Sequence, residues 1–153
     1  MTTDEIARTA GQSGLSTADR LEIAELPARF CHHSDYGEYE QFADLFADDV
    51  VTELVGVGTY VGLDAQIRHA RDTDTWTSGH AWHVVTNLWI EATPNGAAVH
   101  YYLLGMLRTG SADSGQVNTT GRMVDHVVRT RDGWRIQRRE LTMDRPTTPP
   151  DLV

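Results

Sequence analysis

The stretch that decides the fold lies in the second half of the chain, where residues 83–108 have the sequence HVVTNLWIEATPNGAAVHYYLLGMLR. β-Branched and aromatic residues dominate both halves of this stretch, and Pro94-Asn95-Gly96 separates them. Such a short link supplies the backbone conformations that a tight turn needs and joins two antiparallel strands. The stretch therefore predicts a β-hairpin.

The same pattern continues towards the C-terminus. Strands are predicted over 83–92, 97–108, 117–130 and 134–143, with turns at 94–96, 111–115 and 131–133. Because each link is short, consecutive strands are expected to pair as an antiparallel meander.

Helical spacing characterises the first half of the chain. Ser16-Thr17 can cap a helix that has Ile23, Leu26 and Phe30 on one face, although Pro27 interrupts this pattern. The remaining predicted elements are a helix over 38–47, a strand over 50–55, a short strand within 56–62 and a helix over 63–71. Helices followed by a meander predict an α+β fold, a cone-shaped curved antiparallel sheet with the helices on its concave face.

The length and composition fit one soluble domain. The chain has 153 residues, of which 40% are hydrophobic and 23% charged. We expect a flexible segment over 1–15, one domain over 16–145 and an extended tail over 146–153. No apolar run is long enough for a bilayer, and the N-terminus has no basic and apolar signal pattern, so a cytoplasmic location without a membrane partner is expected.

The charged residues exclude several chemistries. All 13 basic residues are arginine, which rules out a lysine nucleophile or Schiff base, and 22 acidic residues give a net charge of -9, which disfavours nucleic acid as a partner. The single Cys31 allows neither an internal disulfide nor a thiolate zinc site, and is expected to be a buried helix residue. The histidines and acids show no ligand spacing, so no metal and no cofactor is expected.

A candidate catalytic pair emerges from the first strand of the meander. In a regular strand His83, Val85, Asn87 and Trp89 share one face, and the polar groups on it need partners. Asp35 at the end of the first helix is the natural partner for His83, because a carboxylate that holds one imidazole nitrogen leaves the other free as a base.

Three motifs resemble the SnoaL-like, ketosteroid isomerase-like superfamily. They are Ser34-Asp35-Tyr36-Gly37, Phe42-Ala43-Asp44-Leu45-Phe46-Ala47-Asp48-Asp49-Val50 and His83-Val84-Val85-Thr86-Asn87. The chain looks closest to the branch that contains scytalone dehydratase and hexachlorocyclohexane dehydrochlorinase. The resemblance implies a cystatin-like α+β barrel, with His83 as the catalytic base and Asp35 as its orienting carboxylate.

The resemblance also implies residues that bind the substrate. Arg139 falls where the dehydrochlorinase has an arginine near the leaving group, whereas Phe30 stands where relatives have a lysine or tyrosine donor. Help for the leaving group must then come from another side chain. The candidates are Tyr36, Tyr60, Arg139 and His100, while Asn87 is a candidate substrate ligand and Trp82 a candidate pocket wall.

These observations predict a cofactor-independent lyase, dehydratase-like, or an isomerase that removes a proton from carbon in a small, largely apolar or polycyclic substrate. The alternatives are a polyketide-type cyclase or epoxide hydrolase on the same scaffold, or a non-catalytic ligand-binding or dimerisation module. A cone packed shut by Phe30, Trp82, Trp89 and Leu141 would favour the module. Bulky residues on both faces of the late strands predict a homodimer or homotrimer.

Overall fold

The helices and strands follow the predicted order in the computed structural model, which describes residues 14–108 and 115–144. The elements are α1 (Thr17–Asp35), a 3-10 helix (Tyr39–Asp44), β1 (Phe46–Leu54), β2 (Gly58–Val61), α2 (Leu63–Thr77), β3 (Ala81–Thr93), β4 (Gly96–Arg108), β5 (Gly115–Thr130) and β6 (Gly133–Met143). The predicted lead-in, C-terminal tail and second turn of the meander lie wholly or mostly in 1–13, 145–153 and 109–114, outside the described residues. Leu15, which the prediction assigned to the lead-in, packs against the core.

One six-stranded sheet holds the molecule together, with strand order β2-β1-β6-β5-β4-β3. The strands β3 to β6 form the predicted antiparallel meander, whereas β1 runs parallel to β6. The helix α1 packs against β3 and β6, and α2 packs against β1. The α+β class with a curved sheet and covering helices is therefore confirmed.

The core lies between the helices and the concave face of the sheet. Its fully buried side chains include Ile23, Leu26, Phe42, Phe46, Val50, Val99 and Ile136. The helix α1 begins with the predicted cap, in which Ser16 and Asp19 bond reciprocally to each other's backbone and side chain. Pro27 is buried within this helix and does not end it. Neither described helix is long and apolar enough to span a bilayer.

The second helix is longer than predicted, because it continues from Arg71 to Thr77 through a segment rich in threonine and aspartate. Thr73 and Thr77 each donate a side-chain hydrogen bond to the carbonyl four residues earlier, at 2.9 and 3.0 Å. These bonds satisfy hydroxyls that otherwise favour a turn. The predicted helix over 38–47 is instead the 3-10 helix, and β1 begins at Phe46.

A bulge in β3 overturns the predicted face of two residues. Asn87 has a left-handed backbone with φ of +56°. Between Thr86 and Trp89, two residues of β3 lie opposite a single residue of β4, so that β3 contains one extra residue. The alternation of faces reverses there. His83 and Val85 face the core, whereas Asn87 and Trp89 line a groove on the outer face.

Candidate active site

Asp35 holds His83 by two hydrogen bonds. Its Oδ1 lies 2.6 Å from Nδ1 of His83, and its Oδ2 accepts the backbone N–H of His83 at 2.9 Å. Asp35 is the last residue of α1, which packs directly against β3. The ring is thus fixed in position and orientation, with Nδ1 carrying the shared proton and Nε2 as the remaining ring nitrogen. The predicted contact is present.

His83 lines a cavity of about 110 Å³ between the helices and the sheet. The apolar side chains of its wall are Phe30, Phe42, Leu54, Ala70, Leu103, Met123 and Leu141. The polar ones are Ser34, Thr52, Gln66, His69, Thr73, His83 and Arg139. The cone is therefore not packed shut, and a largely apolar space with a few converging polar groups is the usual form of a small-molecule site.

Arg139 reaches this cavity from a buried ion pair. Its Nε and Nη2 donate to the two carboxylate oxygens of Asp125 at 2.7 and 2.8 Å, and Nη2 also lies 3.2 Å from the hydroxyl of Tyr101. Arg139 is 3% exposed and Asp125 is fully buried. The guanidinium carbon lies 4.0 Å from the ring centre of Phe30, so this ring offers its π face to the cation of Arg139.

Burial has the largest single effect on the pKa of Arg139 and lowers it, but Asp125, Tyr101 and Cys31 together outweigh burial and raise this pKa above its usual value. The guanidinium therefore stays charged.

The single cysteine, Cys31, lies in α1. Burial raises the pKa of Cys31 to about 12, so that its thiol stays protonated. Cys31 is thus the buried helix residue that was predicted.

One face of α2 supplies a polar wall that the sequence prediction missed. Gln66, His69 and Thr73 follow one another at helical spacing and all line the cavity. The ring of His69 stacks on that of Tyr60, with centroids 4.2 Å apart. Burial lowers the pKa of His69, and nearby Asp72 opposes this only in part. His69 is therefore mainly neutral at pH 7.

Several predicted ligand residues lie away from this cavity. Tyr36 is 76% exposed after the end of α1, and Asn87 and His100 line the groove on the outer face. Trp82 points to the opposite side of β3 from His83 and lies against Gly115. Tyr60 is the register partner of Thr52 in the pairing of β2 with β1, but it does not line the cavity. The ring of His69, which stacks on Tyr60, lines the cavity instead. The structure brings together His83, Asp35, Arg139 and Phe30.

Within the two described ranges, no group of three or more histidine, cysteine, aspartate or glutamate side chains is arranged to hold a metal ion. The ionic groups at the cavity instead form pairs, His83 with Asp35 and Arg139 with Asp125.

The fold and the site together define a cystatin-like, NTF2-like α+β protein with a small internal cavity. The chain belongs to the SnoaL-like domain family, whose model matches residues 16–140. This fold hosts isomerases, dehydratases and cyclases. No curated protein gives a significant match.

Solved structures of similar proteins share the fold at low sequence identity. A protein of unknown function from Nostoc punctiforme has 23% identity and a TM-score of 0.76, covering 88% of this chain and 97% of its own. An NTF2-like protein from Novosphingobium aromaticivorans has 21% identity and a TM-score of 0.77, covering 97% and 93%. A provisionally assigned scytalone dehydratase from the same organism has 21% identity and a TM-score of 0.69, covering 84% and 85%.

Proposed function

We propose that the protein is a cofactor-independent lyase or isomerase that removes a proton from carbon, with His83 as the base and Asp35 as its positioning residue. The observation that carries this proposal is the pair of hydrogen bonds by which Asp35 fixes His83 at the wall of the cavity. Membership of a family whose fold hosts dehydratases and isomerases supports it.

In the proposed reaction the C–H bond of the substrate breaks and its proton goes to Nε2 of His83. The carboxylate of Asp35, 2.6 Å from Nδ1, stabilises the imidazolium that forms. For a lyase, the electron pair of the C–H bond forms a double bond while hydroxide departs from the adjacent carbon. The imidazolium returns the proton to the hydroxide, so the products are an alkene and water. For an isomerase, the proton returns to a different carbon.

The size of the cavity favours a small substrate. A cavity of about 150 Å³ binds benzene in another protein, so about 110 Å³ accommodates roughly one small ring or a short branched chain. A polycyclic compound would insert one ring only. Of the predicted donors to a leaving group, Arg139 lines the cavity, and His69 joins it as a donor that was not predicted. Dehydration remains our first choice among the eliminations.

The test is a screen for proton removal in deuterated water. Small hydroxylated, carbonyl and halogenated carbon compounds are incubated with the protein, and mass spectrometry measures deuterium uptake and loss of water or acid. His83→Ala and Asp35→Asn should each lower the rate at least about 10²-fold, because they act as one unit.

His33 provides a matched control, because it lies in α1 like Asp35 but does not line the cavity. Its Nδ1 lies 2.7 Å from a carboxylate oxygen of Glu38, a similar pair. His33→Ala should keep the full rate. Normal rates in folded His83→Ala and Asp35→Asn variants would remove the pair from the mechanism. Tight binding of a ligand without any exchange or elimination would favour the non-catalytic module.

A further inference from the structure

The hydroxyl of Thr52 is a buried polar group without a partner. Thr52 is 4% exposed, lines the cavity from β1, and within the described residues its Oγ1 makes no hydrogen bond. Buried polar atoms are nearly always paired, and a hydroxyl left unpaired in an apolar interior lowers stability. A group of this kind at the wall of an internal cavity indicates that the cavity's ligand completes the hydrogen bond.

Two further side chains with hydrogen-bond donors line the same cavity. Arg139 lies directly beside Thr52 in the pairing of β1 with β6. Its Nε and Nη2 donate the hydrogen bonds to Asp125, and Nη2 also donates to Tyr101. Among the described residues no partner is found for Nη1. Gln66 of α2 is buried opposite, and its Nε2 makes only a long bond of 3.4 Å to the carbonyl of Tyr60. We call Thr52, Gln66 and Arg139 the Thr52 corner.

The charge of the Thr52 corner is balanced before any ligand enters. Asp125 is fully buried and pairs with Arg139 through both oxygens, so the positive charge of the guanidinium already has its counter-ion. A carboxylate ligand would have to lose its hydration next to the negative charge of Asp125. An uncharged oxygen acceptor meets no such cost and can accept hydrogen bonds from donors of the corner.

We propose that the Thr52 corner is the subsite that binds an uncharged hydrogen-bonding oxygen of the substrate and discriminates against a carboxylate at that point. The inference rests on the proposed function, because the corner and His83 line one cavity. They stand on different walls, since β1 and β3 are separated in the sheet by β6, β5 and β4. The substrate would therefore span from the corner to His83, with its oxygen at one end and the reacting carbon at the other.

The test measures binding of three probes by protein NMR titration: cyclohexanone, methylenecyclohexane and cyclohexanecarboxylate. The first two have nearly the same shape, but only the ketone accepts a strong hydrogen bond. In the natural protein the ketone should bind at least about threefold more tightly than the hydrocarbon, the usual effect of one buried hydrogen bond, and more tightly than the carboxylate.

Thr52→Val should abolish the preference for the ketone over the hydrocarbon, and Thr52→Ser should keep it. Thr142→Val provides the matched control, because Thr142 lines the outer groove and not the cavity, and it should leave the preference unchanged. Thr52→Val removes an unpaired hydroxyl at nearly constant volume, so its Tm should equal or exceed that of the natural protein.

Equal affinity for ketone and hydrocarbon in the natural protein, tighter binding of the carboxylate, or a preference that survives Thr52→Val would each overturn the inference. The binding assay involves no turnover, so it separates this inference from the proposed function. A ketone preference in a protein that exchanges no proton would support the corner and refute the function. Deuterium exchange that depends on His83, without a preference for the ketone, would support the proposed function and refute the corner.

Discussion

At the scale of single residues, His69 is the clearest addition that the structure makes to the site. It lines the cavity, whereas Tyr60, a predicted donor to the leaving group, does not, and the two rings stack on each other. Because burial keeps His69 mainly neutral, its ring can both accept and donate a hydrogen bond in the cavity. A charged ring at this place would put a second cation near Arg139.

The lowered pKa of His69 makes a prediction about stability. The group's usual value is 6.5, and the value in the folded protein lies below it. As the pH falls through about 6.5, His69 of the unfolded chain takes up a proton before His69 of the folded protein does. Protonation therefore favours the unfolded chain and lowers the free energy of unfolding. His69→Gln should therefore show a shallower loss of stability between about pH 7 and 5 in urea unfolding.

The control for this prediction is His126→Gln, because His126 is a half-exposed residue of β5 that does not line the cavity. That variant should follow the natural protein across the same pH range. An unchanged slope in His69→Gln would show that the burial of this ring does not govern its protonation.

The residues of the candidate pair and Arg139 were predictable from the sequence, whereas Thr52 and Gln66 of the Thr52 corner were not. His83 and Asp35 stand out because a histidine on an apolar strand face needs a partner and the end of the first helix offers one. Thr52 and Gln66 are ordinary residues in an amphipathic strand and helix. Only the packing shows that the hydroxyl of Thr52 has no partner.

At the scale of elements, register determines the buried ion pair. Asp125 of β5 lies directly opposite Arg139 of β6, and Tyr101 extends from β4 on the same inner face. The neighbouring Arg138 instead pairs with Glu53 and Glu140 on the exposed side of the sheet.

Asp125→Asn should therefore destabilise the protein strongly. It leaves the guanidinium of Arg139 buried at full charge without its counter-ion, which typically costs about 3–5 kcal/mol. Glu140→Gln is the matched control on the neighbouring arginine, and loss of that half-exposed pair should cost at most about 1 kcal/mol. Denaturant unfolding of both variants measures the difference, and equal losses would contradict a structural role for the buried pair.

Element types and order followed from hydrophobic periodicity, but two local features did not. The bulge at Asn87 depends on one left-handed residue, which asparagine tolerates without requiring it. The last two turns of α2 depend on threonine hydroxyls that bond back to the helix, and the same residues are common in loops. Both features have functional consequences, since the bulge removes Asn87 from the face of His83 and the longer α2 places Thr73 at the cavity.

At the scale of the whole molecule, the outer face of the sheet carries exposed apolar side chains among its polar ones. Val84, Trp89 and Tyr102 are exposed there, and Trp89 stacks on His100 with ring centroids 4.3 Å apart. Within the described chain, Nε2 of His100 has no hydrogen-bond partner, and the nearest carboxylate, of Glu91, is 3.7 Å away. Exposed apolar groups next to an unpaired buried nitrogen favour a face that another subunit covers.

We therefore expect a homodimer or homotrimer that buries this outer face. Each subunit carries a net charge of -9, so burial of the aromatic groups of this face has to outweigh the repulsion between subunits. Light scattering at micromolar concentration should give two or three times the monomer mass of 17.0 kDa. Trp89→Arg should shift the protein towards the monomer, since it places a charge in the contact.

Leu21→Arg makes the same chemical change at an exposed apolar residue of α1, on the helical side of the molecule. The assembly should survive it, because that side is not expected to meet a partner. A monomer in the natural protein, or equal dissociation by both variants, would show that the outer face is not the interface. Deuterium exchange by a monomeric Trp89→Arg variant would tell whether the cavity of a single subunit is active.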